Sequence, residues 1–406
     1  AWLFLCSIGG IYYYLPEKCG LPLFSPKLAS LHLWIFLITG IIVIACYFLG
    51  VFGGREYWEF PPVLAAPIVI SWILFGINYL KTIAVVRGQW PVYYWMWGTG
   101  IVFFLLSFLQ SYLWLLPYFR DSIVRDLTVQ WKSYGEIVGC WNMLIYGTAI
   151  FLMEKISEHS KGANNKAPAI GIAYTRLAFL LFALGLINLM FGWAHHLYLV
   201  PSAGWIRHMG YAISMTELLI LGKIIWGWRK SFLQSKDNFG HASGGIAFRF
   251  LIASDFWILV NLTLAILISI PAINVYTHGT HITVAHAMGS TIGINTMILL
   301  ASVFYAVSVK REERGEQNND MGMVNKGFWI TNISLLVFLI SLVVAGIVRG
   351  HAAIAEHKSF QEISIAISPY IMIFAYSGLV LFIGFCMIIF PALRILIRSA
   401  KAPVEK

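Results

Sequence analysis

The chain has 406 residues, of which 59% are hydrophobic and 11% charged, a balance that excludes an ordinary water-soluble domain. Its net charge of +10 reads as the basic bias of loops on one side of a membrane, which excludes a nucleic-acid surface as the reason for it. The five cysteines, Cys6, Cys19, Cys46, Cys140 and Cys386, form no CxxC or CxxCH, so neither c-type haem attachment nor a zinc or disulfide framework is indicated.

In chain order, the first 14 residues, AWLFLCSIGGIYYY, read as the second half of a membrane-crossing segment. Apolar runs long enough to cross a bilayer, about 20 residues in a helix, follow at 30–52, 63–81, 91–116, 131–153, 169–199, 205–228, 247–270, 282–308, 327–348 and 367–391. Backbone in lipid must satisfy its own hydrogen bonds, and long runs without period-two alternation select helices over a closed barrel. The expected fold is an all-α integral membrane bundle of about eleven segments, a single domain over residues 1–406. Lys and Arg gather in the loops after odd-numbered segments and in the tail, with Lys18, Lys27, Arg87, Lys155, Lys310 and Arg394 among them. That bias puts the C-terminus on the cytoplasmic side. The partial first segment then starts outside, and one further helix upstream is expected, so the first helix of the bundle is read as missing from this sequence.

Ionisable residues at membrane depth are functional hypotheses by default. His195 and His196, in FGWAHHLYLV, fall near the outer end of the sixth segment. His286, in YTHGTHITVAH, falls about a turn inside the outer end of the ninth, and Glu217 about three turns down the seventh. Four such groups share one depth, and imidazole suits iron, copper or zinc. Adjacent histidines diverge by about 100° on a helix, so both reach one ion only if the helix end turns toward it. The alternative is a hydrogen-bonded pair at a helix end, and the same holds for His278 and His281. By spacing alone Met288 packs against a different neighbour from His286. Glu136 near the outer mouth and Asp255 toward the inner side leave no evident proton path from the cytoplasm, and His351 and His357 read as solvated.

Four stretches in order resemble the haem-bearing catalytic (large) subunit of respiratory nitric oxide reductase, within the haem–copper oxidase superfamily. They are YYYLPEKCGLPLFSPKLA at 12–29, GREYWEFPP at 54–62, GWAHHLYLVPSAGW at 192–205 and YTHGTHITVAH at 276–286. The resemblance implies a subunit I-like bundle with eleven of twelve helices present. It makes His286 the proximal ligand of a high-spin haem b, and His195 and His196 ligands of a non-haem iron facing it. Glu217 falls on an acid beside the binuclear centre, a candidate for proton delivery. Arg55 would neutralise haem propionates, and Glu56 and Glu59 lie in a loop that helps bind calcium. Implied partners are the bilayer, nitric oxide, and a cytochrome c-type or other electron-donor subunit, with a separate polypeptide as one source of the first helix. The implied location is a bacterial-type inner membrane, with the site toward the periplasm.

The sequence also departs from that pattern. The family's third iron-binding imidazole opens an HxxxEG motif in the fifth segment, but no histidine occurs between His32 and His159. With Gly135 as the motif glycine, Gln130 and Tyr134 replace the histidine and glutamate; with Gly139 and Trp141 as anchors, Tyr134 and Val138 do. The first register leaves an amide and a phenol one turn apart, either as contacts to a metal or its water, or as polar residues at a helix mouth. The low-spin haem's histidines would come from the helix before Ala1 and from the position of Met288. The HPEVY motif of oxygen-reducing relatives is absent. The expected reaction is therefore reduction of nitric oxide to N2O. Its alternatives are dismutation to N2 and O2, and a haem-binding subunit that has lost catalysis.

Overall fold

The computed structural model describes residues 2–161, 171–216, 222, 245–313 and 321–401, with side chains through Glu158 in the first stretch and Arg398 in the last. Among the described residues the regular structure is helical, joined by turns and loops, with one isolated bridge, Arg55 to Trp58. Thirteen helices carry the architecture. They are α1 (Trp2–Cys19), α2 (Pro26–Phe48), α3 (Ala65–Ile83), α4 (Val92–Gln110), α5 (Ile123–Lys161), α6 (Arg176–Phe191) and α7, whose described part is 204–216. After them come α8 (Gly245–Ser269), α9 (Pro271–Thr277), α10 (His281–Met288), α11 (Met297–Glu312), α12 (Gly322–Ile354) and α13 (Phe360–Lys401).

Among the described residues nine stretches are long and apolar enough to cross a membrane, and they overlap nine of the eleven expected segments. The segment at 205–228 lies largely outside the described residues. The first expected segment is the 18-residue α1, which contains Pro16. Two helices extend well beyond their apolar runs: α5 covers 39 residues where 131–153 was expected, and α13 covers 42 where 367–391 was expected.

Helix starts follow local chemistry. Ser25 caps α2, its hydroxyl accepting from Leu28 N–H at 3.2 Å with Pro26 at the first position, and Thr175 caps α6 by accepting from Ala178 N–H at 3.2 Å. Between helices, polar edges of buried aromatics find backbone partners. Trp72 donates to Ile101 O (2.8 Å), Trp97 to Leu144 O (3.1 Å) and Tyr79 to Tyr94 O (2.7 Å). In a bilayer such bonds replace the water these groups would otherwise hold.

The chain packs as two compact units. One comprises Ala1–Glu154 with Ala167–Ile213, and the other Lys155–Lys166 with Ser214–Lys406. In the first unit α5 is the most enclosed span, whereas α2 turns nearly its whole apolar surface outward. In the second, the span His281–Glu312 is enclosed and α13 is largely exposed. An exposed Leu, Ile and Phe surface on such helices is the expected lipid face.

Candidate metal and haem sites

His195 and His196 sit in a 3-10 turn, Gly192–Leu197, that continues α6. Three residues per turn rather than 3.6 separate consecutive side chains by about 120°. Even so the two imidazoles lie side by side, centroids 4.3 Å apart and planes at 41°. Trp193, Ala194 and Leu197 of the same turn are buried with Val200 and Ile206, and Val124, Leu127 and Trp131 of α5 pack on them. Trp131 stacks on His196, with centroids 4.8 Å apart and planes at 8°.

Glycine makes this approach possible. A Cβ on Gly135 would stand 2.5 Å from Trp193 Cβ. Gly135→Ala is therefore expected to push the turn off α5 at a cost of about 1–3 kcal/mol, seen as a lower thermal midpoint and lower non-haem metal content in the purified protein.

Three faces of α5 do three jobs. Toward the dihistidine it presents the apolar stripe Val124, Leu127, Trp131 and Gly135. Toward α4 it presents Lys132 and the buried Glu136: Lys132 Nζ donates to Glu136 (2.6 Å) and Gln110 (2.8 Å), and Ser107 donates to Glu136 at 3.1 Å. Toward the loop 54–60 it presents Gln130 and Tyr134, both buried. Gln130 Nε2 donates to Glu56 Oε2 at 3.1 Å, and Tyr134 donates to the backbone oxygen of Glu56 at 2.5 Å. The amide and phenol, four residues apart on α5, share a face, and that face holds Glu56.

The loop itself is a tight reversal, Arg55 and Trp58 exchanging backbone hydrogen bonds of 3.0 and 2.7 Å. Tyr57 at its tip has φ +69°, a left-handed conformation unusual for a bulky side chain. Its amide donates to Glu59 Oε1 at 2.9 Å and its ring meets Tyr134 edge-on at 5.4 Å, contacts that hold the strained residue. Partial burial, with Glu56 and Glu59 nearby, raises the Tyr57 phenol above its ordinary range. Arg55 grips Asp126 of α5 with both guanidinium nitrogens, its other nitrogen at 2.6 Å, and a haem propionate at Arg55 would share that guanidinium with Asp126. Asp126, Trp131 and Lys132 are not singled out by sequence reasoning. Arg125 and Asp126 are adjacent on α5 and Lys132 lies about two turns further on, a signal available only once the helix is known to begin at Ile123.

In the second unit, His286 lies on α10, which Thr280 caps through Ile282 N–H at 3.2 Å after a turn at Gly279, φ +71°. The helix then changes character: Gly289–Thr296 is a π-helix, and Thr296 Oγ1 donates to Thr291 O five residues back at 2.8 Å. π-helical distortions of this kind cluster at functional sites. Met288 is half-buried at the junction. The Nδ1 atoms of His286 and His281 are buried without a hydrogen-bond partner. His278 terminates α9, its amide donating to Asn274 O at 2.8 Å, and burial lowers its pKa below the usual imidazole value. His351, 3.2 Å from Glu356, and His357 are exposed, as the sequence suggests. Glu217 lies outside the described residues.

Residues of this kind fit metal and haem as partial ligand sets. A buried imidazole nitrogen left unpaired costs about 1–3 kcal/mol, a cost that ligation or a hydrogen bond removes; His286 meets that description. Two neighbouring imidazoles suit a borderline or soft-to-intermediate ion such as iron or copper. Among the described residues no group of three or more His, Cys, Asp and Glu converges on one point, so the dihistidine is a half-set. Glu56 and Glu59 are hard oxygen donors of the type calcium takes; the carboxylate of each already accepts one of the hydrogen bonds described above.

The architecture is that of a multi-pass, all-helical membrane protein with the haem–copper oxidase subunit I fold. Residues 1–380 match the family Cytochrome C and Quinol oxidase polypeptide I, and the chain belongs to it. It is 22% identical over 370 residues to the B subunit of nitric oxide reductase from Stutzerimonas stutzeri, a match that spans 86% of this chain and 73% of that protein. With the cbb3-type cytochrome c oxidase subunit CcoN1 of the same organism it shares 22% over 359 residues, 84% of this chain and 70% of the relative. Its fold superposes on a solved heme-copper terminal oxidase dimer with a TM-score of 0.72 at 17% identity, covering 99% of this chain and 74% of the other. The family is one of membrane oxidoreductases and implies haems with a binuclear metal centre.

Proposed function

We propose that this oxidoreductase converts nitric oxide at a centre of haem b and non-haem iron, reducing two molecules to N2O. The observation that carries the reading is the ring α5 lays on the dihistidine: Trp131, where neither histidine nor tyrosine occurs. The tyrosine that oxygen-reducing relatives bring through HPEVY is missing from the sequence, and the B subunit of nitric oxide reductase is among the proteins it resembles. His195 and His196 would supply two ligands to the iron, and His286 would hold the high-spin haem. Met288 is offered as the ligand of a low-spin haem. Haem and iron, when bound, supply electrons and a place for both nitrogens.

The other residues act around them. Trp131 covers one imidazole face and keeps water from it. Gln130 and Tyr134 position Glu56, so that Glu56 and Glu59 are available to calcium and Arg55 to a propionate. Glu217 delivers protons, which enter from the periplasmic side. Electrons come from a cytochrome c-type or other donor subunit. The whole chain acts as one bundle in an inner membrane.

A second reading, dismutation of NO to N2 and O2, needs no external electrons and is favoured by the altered relay, with Met288 standing where the family pattern has a haem-ligating histidine. Anaerobic assay with 15N-labelled NO separates the readings. Reduction gives labelled N2O and consumes donor electrons; dismutation gives labelled N2 with O2 and consumes none. Absence of all three gases from haem-loaded protein would assign the chain to the haem-binding, non-catalytic reading.

A further inference from the structure

A cleft of about 670 Å³ beside the turn between α3 and α4 is lined by Gly88, Gln89, Trp90, Trp95, Phe179 and Phe182. Trp90 and Trp95 pack with centroids 5.1 Å apart, and Phe179 and Phe182 are three residues apart on one face of α6. Both α4 and α6 begin membrane spans here, so the cleft stands at the level where spans meet headgroups. Its walls are apolar and its one polar side chain is an amide.

Two exposed arginines flank it. Arg87 directly precedes Gly88, and Arg176 lies three residues before Phe179 on the same face of α6. Neither has a carboxylate within ion-pair distance among the described residues. The segments 84–91 and 171–176 contain no acid, and Glu154 beneath them is buried, accepting from Ala173 N–H at 2.9 Å. A cation at the first residue of a helix opposes the helix dipole, so helix stability does not explain Arg176.

We propose that this cleft binds an anionic phospholipid, its acyl chains against Trp90, Trp95, Phe179 and Phe182 and its phosphate taken by Arg87 and Arg176. Basic pockets between membrane helices recognise acidic headgroups in this way. Interfacial aromatics alone would instead anchor the protein without preference among lipids.

The test is native mass spectrometry of the purified, haem-loaded protein in nanodiscs of phosphatidylglycerol or phosphatidylcholine, with thermal unfolding as a folding control. Wild type should retain phosphatidylglycerol through detergent washing and lose phosphatidylcholine. The double variant R87Q/R176Q should weaken phosphatidylglycerol retention about 30-fold, two cations at about fivefold each. W95A/F182A should weaken retention of the same lipid while leaving both charges in place. Equal retention of the two lipids by wild type overturns the proposal. So does unchanged phosphatidylglycerol binding in either folded double variant, or displacement of the phospholipid by an added isoprenoid quinone.

Discussion

His286→Ala purified from membranes is expected to lack one haem b per chain and to turn over NO at least about 10³-fold more slowly, a loss of ~4 kcal/mol of barrier lowering. Haem is counted by pyridine haemochrome absorbance and turnover by NO consumption. The structural reason is the half-buried imidazole with an unpaired, buried Nδ1 on α10. His281 shares that orphaned nitrogen, which makes His281→Ala the discriminating control: five residues earlier on the same helix and on a different face, it should keep the haem. Full haem content in His286→Ala, or equal loss in both variants, would sink the assignment.

At the dihistidine, ligation and packing are separable because His196 does both in this reading. His196→Ala removes the ring from Trp131 and from the metal; His196→Phe restores a flat ring for Trp131 but offers no nitrogen. Both variants are expected to lose non-haem iron, measured by elemental analysis, and to slow turnover by roughly 10²-fold or more, about 3 kcal/mol. Haem content should stay near one full complement in each. Recovery of activity in His196→Phe but not His196→Ala would mean that the ring is wanted for packing. His195→Ala, whose ring lies 4.3 Å from His196, should behave as the alanine variant does.

Most of the membrane architecture is legible in the sequence because bilayer thickness sets a length scale that apolar runs reveal directly. Nine stretches recur where those runs lie. The ends are less legible. Hydropathy marks only the part of a helix that lipid surrounds, so the polar turns of α5 on both sides of 131–153, with Arg125 and Asp126 before and Lys155 and Glu158 after, escape it. They remain helical through backbone bonds and through pairs such as Lys155 with Glu158 at 2.9 Å. Pro369 and Pro391 both lie inside α13; in a membrane, loss of one backbone donor is tolerated where neighbours compensate.

The adjacent histidines of the candidate site stand out by themselves, since two imidazoles at depth are rare. Their surroundings do not. Trp131 on His196, Asp126 on Arg55 and Glu56 on Gln130 and Tyr134 join residues 65 to 78 positions apart, and no local pattern announces such pairs. What the sequence offers for α5 is two registers; what the structure adds is the rotation about the helix, with Gln130 and Tyr134 on one face and Trp131 and Gly135 on another.

The wide turn at Gly289–Thr296 has a bearing on how this protein is compared with others. Each added residue in a helical turn swings everything beyond it by roughly 100°. A helical wheel drawn at a constant angle of about 100° per residue from His286 through α11 therefore assigns positions beyond Thr296, buried Phe304 and Val307 among them, to the wrong neighbours.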